Sequence, residues 1–248
     1  MAAPAAACRG TWWRRVGLGL LIGVPALAVV FILLARQQPA FYANSVEGAD
    51  AFAVGVDPSV REENRQRASG RFLSKCVALA ADVDRPGSWS TVIEDDELNA
   101  WLRVELPANH PELLPAGVAD LRVQFAAETL FVGCRVGGPL GGLAWVEVRL
   151  RLLEANRVAM TIERCRLGAV PLPGGIAISR LAETLSAAGI RCEMLRRDGQ
   201  TQLVAQLPAG QGSVAGGEGV SWWLDGMRIE GGELFLTGTS RRVLGSGR

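Results

Sequence analysis

The sequence predicts an α+β fold: an N-terminal membrane-spanning helix, then a twisted antiparallel sheet of about eight strands packed on two to three helices. Three observations carry this prediction. An uncharged apolar run lies near the N-terminus, two stretches of helical period follow it with start and stop signals, and a period-two alternation sets in from Ala119.

The chain has 248 residues, room for an anchor and one domain of ordinary size. Hydrophobic residues make up 49% and charged residues 21%, a balance that builds a core and excludes a disordered chain. The formal charge of +1 gives no general attraction to nucleic acid or acidic substrates. Lys75 is the only lysine; the arginines are dispersed along the chain.

The run "VGLGLLIGVPALAVVFILLA", residues 16–35, carries no charge, and as a helix it matches the ~30 Å thickness of a bilayer core. It is too long for the apolar part of a cleaved signal peptide, and Cys8 precedes it, so it offers no lipoprotein acceptor. Arg9, Arg14 and Arg15 lie before the run and only Arg36 closely follows it, which places the N-terminus in the cytoplasm. Trp12-Trp13 and Phe41-Tyr42 stand where interfacial aromatics are expected. The expected organisation is a cytoplasmic N-terminus at 1–15, a span at 16–35, a linker at 36–57, an extracytoplasmic domain at 58–240 and a flexible tail at 241–248.

Asp57 and Pro58 open the first helical stretch as N-cap and first residue. Gly70 interrupts it, separating a charged section from an apolar one, and "RPGSW" stops it. After a brief extended piece, "WSTVIE", Asp95 is placed as the N-cap of the next helix, with Asp96 and Glu97 in its first turn opposing the helix dipole. Leu98, Trp101, Leu102 and Leu106 share one face, Pro107 ends the helix, and Asn99 has no local explanation beyond a bond to a neighbouring strand or loop.

From Ala119 the segments "LRVQFAAETLFVGCRVGG" and "WVEVRLRLLEANRVAMTIERCRLG" read as four strands of a meander with one apolar face. A helix follows over residues 176–189, with Ile178, Leu181 and Leu185 on one side. Two hairpins close the chain, turning at "DG" and "GG" and separated by the glycine-rich loop "AGQGSVAGGEG".

Chemistry is sparse. The one histidine, His110, sits between prolines, and neither a nucleophile elbow nor a phosphate-loop motif occurs. The acids at 94–97 point in different directions from a helix start and form no ordered calcium loop. No catalytic, metal or cofactor residues are therefore assigned. The apolar-ligand or core-face candidates are Leu98, Trp101, Leu102, Trp222 and Trp223. Cys76, Cys134, Cys165 and Cys192, on the exported side, permit two disulfides in three connectivities or remain as four buried thiols.

The "ELNAWL" helix, the "CRLGAVPLP" segment before a Leu-rich helix and the late hairpin "WLDGMRIEGGELFLTG" resemble the YpmS-like family of membrane-anchored envelope proteins. More loosely, they resemble the tubular lipid-binding fold. Glu97, Leu98 and Asn99 match the helix motif, and Gly168, Pro171 and Pro173 match the segment before the later helix. The resemblance covers about Val92 to Thr239 and brings no catalytic residues. It implies a non-enzymatic, single-pass extracytoplasmic protein, anchored in the membrane by 16–35, whose sheet and helices hold a lipid or other apolar ligand. The alternative is an envelope assembly protein with a packed core, a protein partner and no ligand.

Overall fold

The computed structural model describes residues 34, 37–42, 57–114, 116–138, 141–197, 200–209 and 218–244. Apart from Leu34, the expected span lies outside the described residues, as do Cys8, the expected turn at 198–199 and residues 210–217 of the glycine-rich loop. No described helix is long and apolar enough to cross a membrane.

Helix α1 (Pro58–Val83) begins as its sequence dictates: Pro58 supplies the first turn, and the Asp57 carboxylate accepts from the Ser59 amide at 2.9 Å. It is one continuous helix through Gly70. A Cβ at Gly70 would meet nothing within 4 Å, so Gly70→Ala is expected to stabilise the fold by about 0.5–1 kcal/mol, read as a higher urea midpoint. A lower midpoint would show that this turn needs glycine for another reason.

Strand β1 (Gly87–Glu94) leads directly into helix α2 (Asp95–Asn109). The N-cap of α2 is Glu94, not Asp95, and its side chain makes no capping bond. Pro107 does not end the helix but lies inside its last turn, two residues before the helix stops, so the turn that proline disrupts is also the final one. A short 3₁₀ turn, Pro111–Leu113, follows.

The meander is β2 (Val118–Ala126), β3 (Thr129–Val136), β4 (Gly142–Glu154) and β5 (Arg157–Leu167), each antiparallel to the next. The two-residue β6 (Val170–Pro171) pairs with β5, and helix α3 (Gly174–Ala187), with Ile178 buried, packs on β5 and the hairpin that follows. The hairpin β7 (Arg191–Arg197) and β8 (Gln200–Gln206) then returns so that β8 pairs with β5. The second hairpin, β9 (Glu218–Glu230) and β10 (Glu233–Leu244), turns at Gly231 and Gly232. Both have positive φ, 61° and 89°, a conformation glycine adopts without strain.

The expected single sheet is in fact two. The larger runs β2-β3-β4-β5-β8-β7, and the smaller runs β1-β10-β9, because "GSWSTVIE" is a full strand that pairs with β10. The tail expected from 241 is also shorter: residues 241–244 continue β10, with Arg241 opposite Ser221 and Val243 opposite Gly219.

The sheets meet where the meander turns. The Glu128 amide donates to the Ile229 carbonyl at 3.1 Å, and the Asn156 amide to the Leu224 carbonyl at 3.2 Å, so β9 crosses the turn ends of β2–β3 and β4–β5. Trp89, Val158 and Leu224 form a core at this junction, closed by Leu79 and Val83 of α1.

A further difference concerns the faces of the large sheet. Leu130 and Val132 pack against Leu102 and Leu106 of α2, as one-sided alternation predicts. The opposite face is also covered, because Phe41 and Tyr42 lie against Phe131, Leu143 and Trp145. Gly133 makes the space: a Cβ there would come within 3.0 Å of both rings. Phe41 and Tyr42 are therefore core residues of the domain rather than interfacial aromatics, and the expected linker contributes residues 37–42 to the fold.

Candidate functional site

Polar chemistry concentrates where α1, α2 and β2 meet. α1 turns Arg61, Arg65, Ala68, Phe72, Lys75 and Leu79 toward its neighbours, a spacing that alternates three and four residues along one helix face. The apolar members lie mainly in the C-terminal half and the cations mainly in the N-terminal half.

Glu97 is 1% exposed, and a carboxylate is costly to bury unless it is paired. Lys75 Nζ lies 2.6 Å from Glu97 Oε2, and Arg71 Nε donates to Oε1 at 3.0 Å. Lys75 also reaches Glu94 at 3.2 Å. Burial opposes the lysine's charge, but its bonds to Glu97 and Glu94 outweigh that and hold its pKa above the ordinary value. The chain's only lysine thus ties α1 to α2.

Asn99, 3% exposed, uses both ends of its amide: Nδ2 donates to the Val123 carbonyl at 2.7 Å, and Oδ1 accepts from the Val123 amide at 2.8 Å. β2 is an edge strand, and Asn99 takes the place of a pairing partner there. The strand bond left open by the sequence is this one.

Asp95 accepts from the Phe125 amide at 3.3 Å. Burial raises its pKa to about 6, with the Phe125 bond opposing and Asp96 adding to the rise. A carboxyl whose pKa is higher folded than unfolded is protonated first in the native state. Its contribution therefore turns more favourable as pH falls from about 6 toward 4. Asp95→Asn should remove that slope and raise stability at pH 7.5 by about 1 kcal/mol, after allowance for solvent screening. Urea midpoints at pH 5 and 7.5 check this; an unchanged slope would show that Asp95 is solvated.

Asp120 has positive φ, 51°, beside a register shift in β2. Its carboxylate accepts from the Tyr42 hydroxyl at 2.8 Å, from Arg122 Nε at 3.0 Å and from Arg135 Nε at 3.3 Å. Burial would raise its pKa, but these three donors outweigh it and hold the carboxyl below its ordinary value. Tyr42 is fully buried, and burial followed by its bond to Asp120 pushes the phenol well above its usual range.

Above this group opens a cleft of about 170 Å³ between α1, α2 and β2. Its wall holds five arginines, Arg61, Arg65, Arg71, Arg103 and Arg122, and one carboxylate, Asp96. Ala68 and Ala100 face it from the two helices and leave it open. The Arg122 side chain is 3% exposed and anchored on Asp120, while Arg65 pairs with Glu62.

The apolar candidates do not share one site. Leu98, Trp101 and Leu102 pack with α2 on β2 and β3, and Trp101 lies 5.6 Å from the Phe72 ring. Trp222 joins the inter-sheet core, 6.4 Å from Trp89. Trp223, on the other face of β9, lies beneath the Arg241 guanidinium. Cys76, Cys134, Cys165 and Cys192 are free thiols, Cys76 exposed, and burial raises the pKa of each. No local pattern announces the arginine cleft, because its members are 61 residues apart at the extremes; the four-residue spacing of Arg61 and Arg65 is the one local signal.

Comparison with known protein families, curated proteins and solved structures found no match for this chain.

Proposed function

We propose that this chain is a non-enzymatic, single-pass membrane protein of the cell envelope whose extracytoplasmic domain serves as an assembly or interaction module with a packed interior. The observation that carries it is the seating of Phe41 and Tyr42 in the large sheet, with the Ala169 amide donating to the Leu34 carbonyl at 2.8 Å. A domain joined to its anchor this way is held near the bilayer rather than swinging on a free linker. The five apolar candidates, divided between separate packing groups, favour this reading over a lipid carried inside the fold. His110 is exposed, with Trp101 and Glu112 as its neighbours. The resemblance to the YpmS-like family belongs to the same proposal.

Topology and occupancy are tested on the full chain. In single-cysteine variants, an impermeant maleimide applied to intact cells should label Cys76 and spare Cys8. The reverse pattern would overturn the orientation. Native mass spectrometry of protein released in mild detergent should show a bare domain, with crosslinking in intact membranes capturing a protein partner. A lipid retained at fixed stoichiometry in the interior would instead favour the carrier reading.

A further inference from the structure

We propose that the end of the large sheet beside residues 37–39 lies on the bilayer surface, with Arg166 set among anionic lipid headgroups, a placement that rests on residues 16–35 crossing the membrane. The join between run and domain points there. Leu34 is the next-to-last residue of the apolar run, and its carbonyl accepts from the Gln37 amide at 3.2 Å and from the Ala169 amide at 2.8 Å. Ala169 lies in the link from β5 to β6, so the run ends against this end of the sheet. The opposite end, with the β2–β3 and β4–β5 turns, is covered by β9. A membrane that receives the run therefore meets the domain at the β3–β4 and β5–β6 links, and the tether keeps its headgroups at high local concentration there.

The side chains at this end suit a headgroup layer. Two hollows flank residues 37–39, one of about 440 Å³ beside Arg135 and Leu143, the other of about 300 Å³ beside Trp145, Arg164 and Arg166. Arg135 and Arg164 answer Asp120 and Glu147, at 3.3 and 3.4 Å. Arg166 makes no ion pair among the described residues. It stands opposite Trp145 in the β4–β5 ladder, and its guanidinium lies over that ring, 5.7 Å from the centroid. Trp145 Nε1 donates to the Gly168 carbonyl at 2.9 Å, which fixes the ring beneath the arginine. Indole and arginine stem take the apolar side of an interface, and the guanidinium fork matches the oxygen geometry of a lipid phosphate. Leu172, 39% exposed between Pro171 and Pro173, adds an apolar side chain beside β5, where its amide donates to the Cys165 carbonyl at 2.8 Å.

The test uses the full chain in nanodiscs of phosphatidylcholine alone or of phosphatidylcholine mixed with phosphatidylglycerol, and reads amide hydrogen exchange by mass spectrometry. Peptides from residues 164–173 should exchange about fivefold more slowly in the anionic discs, the effect of one cation at an anionic surface. Peptides from residues 150–157, at the other end of the same sheet, should not change. R166E should erase the difference, whereas R228E, on β9, should keep it. Should R166E lose its fold, seen as fast exchange throughout β4, R166Q and R166K decide between charge and packing. The first should lose most of the difference and the second retain it. A chain that stays out of the discs would overturn the anchor and this inference with it. A chain that enters both kinds of disc but exchanges equally at 164–173, or a folded R166E that behaves as R228E does, would overturn this inference alone.

Discussion

Asn156→Ala is expected to lower the unfolding free energy by about 3–5 kcal/mol, measured by urea denaturation of the detergent-solubilised chain. Asn156 is 2% exposed in the turn between β4 and β5; three of its polar groups join it to β9 of the other sheet, and the fourth bonds the residue that follows β8. Nδ2 donates to the Trp222 carbonyl at 3.1 Å, and Oδ1 accepts from the Leu224 amide at 2.6 Å. Its own amide donates to the Leu224 carbonyl, and its carbonyl accepts from the Leu207 amide at 2.8 Å. Alanine would leave the buried Leu224 amide without its acceptor, at about 1–3 kcal/mol, and weaken the Trp222 carbonyl as well. The backbone adds to the loss. Asn156 has φ 62°, a left-handed conformation that asparagine tolerates and alanine resists by about 1–2 kcal/mol. Asn156→Gly removes the same side-chain bonds and relieves the backbone term, so it should cost less than Asn156→Ala. A loss below about 1 kcal/mol in both variants would mean that the sheets are joined mainly by apolar packing.

Gly238→Ala should destabilise by about 3 kcal/mol or more and shift the emission of Trp89. Gly238 pairs directly with Trp89 across β1 and β10, beside the register shift that separates it from Thr237. A Cβ at Gly238 would overlap both the Trp89 indole and the Trp223 carbonyl oxygen. The indole could turn away, but the carbonyl belongs to the ladder with β9, so the strand itself must move. Gly226 provides the comparison. Its Cβ would meet chiefly the Thr237 hydroxyl, the end of a side chain that can rotate, so Gly226→Ala should cost clearly less. Equal losses would show that β10 yields as readily as a threonine rotamer.

Local rules accounted for much of the architecture. The Asp57-Pro58 start, the four-strand meander, the helix around Ile178 and the Gly231-Gly232 turn all depend on neighbours in sequence, and the structure contains them. They failed where a residue answers to a distant partner. The acids opening α2 look sufficient as helix-start chemistry, yet Glu94 and Glu97 pair with Lys75, and Asp95 accepts from β2. Phe41 and Tyr42 have the composition of a membrane-interface pair, but a glycine in β3, more than ninety residues later, gives them a seat in the core. Trp222 and Trp223 lie on opposite faces of β9, as consecutive strand residues must, and neither packs with Trp101 because their strand meets α1 and the turn of β4–β5 rather than α2.

By itself, then, the sequence determined the α+β class and the order of its main elements, because helix caps, turn glycines and hydrophobic period act over a few residues. Only the tertiary structure decided that the strands form two sheets, that Asn156 joins them, and that five arginines converge on one cleft. Those outcomes depend on strand pairing and helix crossing between segments far apart in the chain. Nothing in the local pattern of any one segment records which others it will meet.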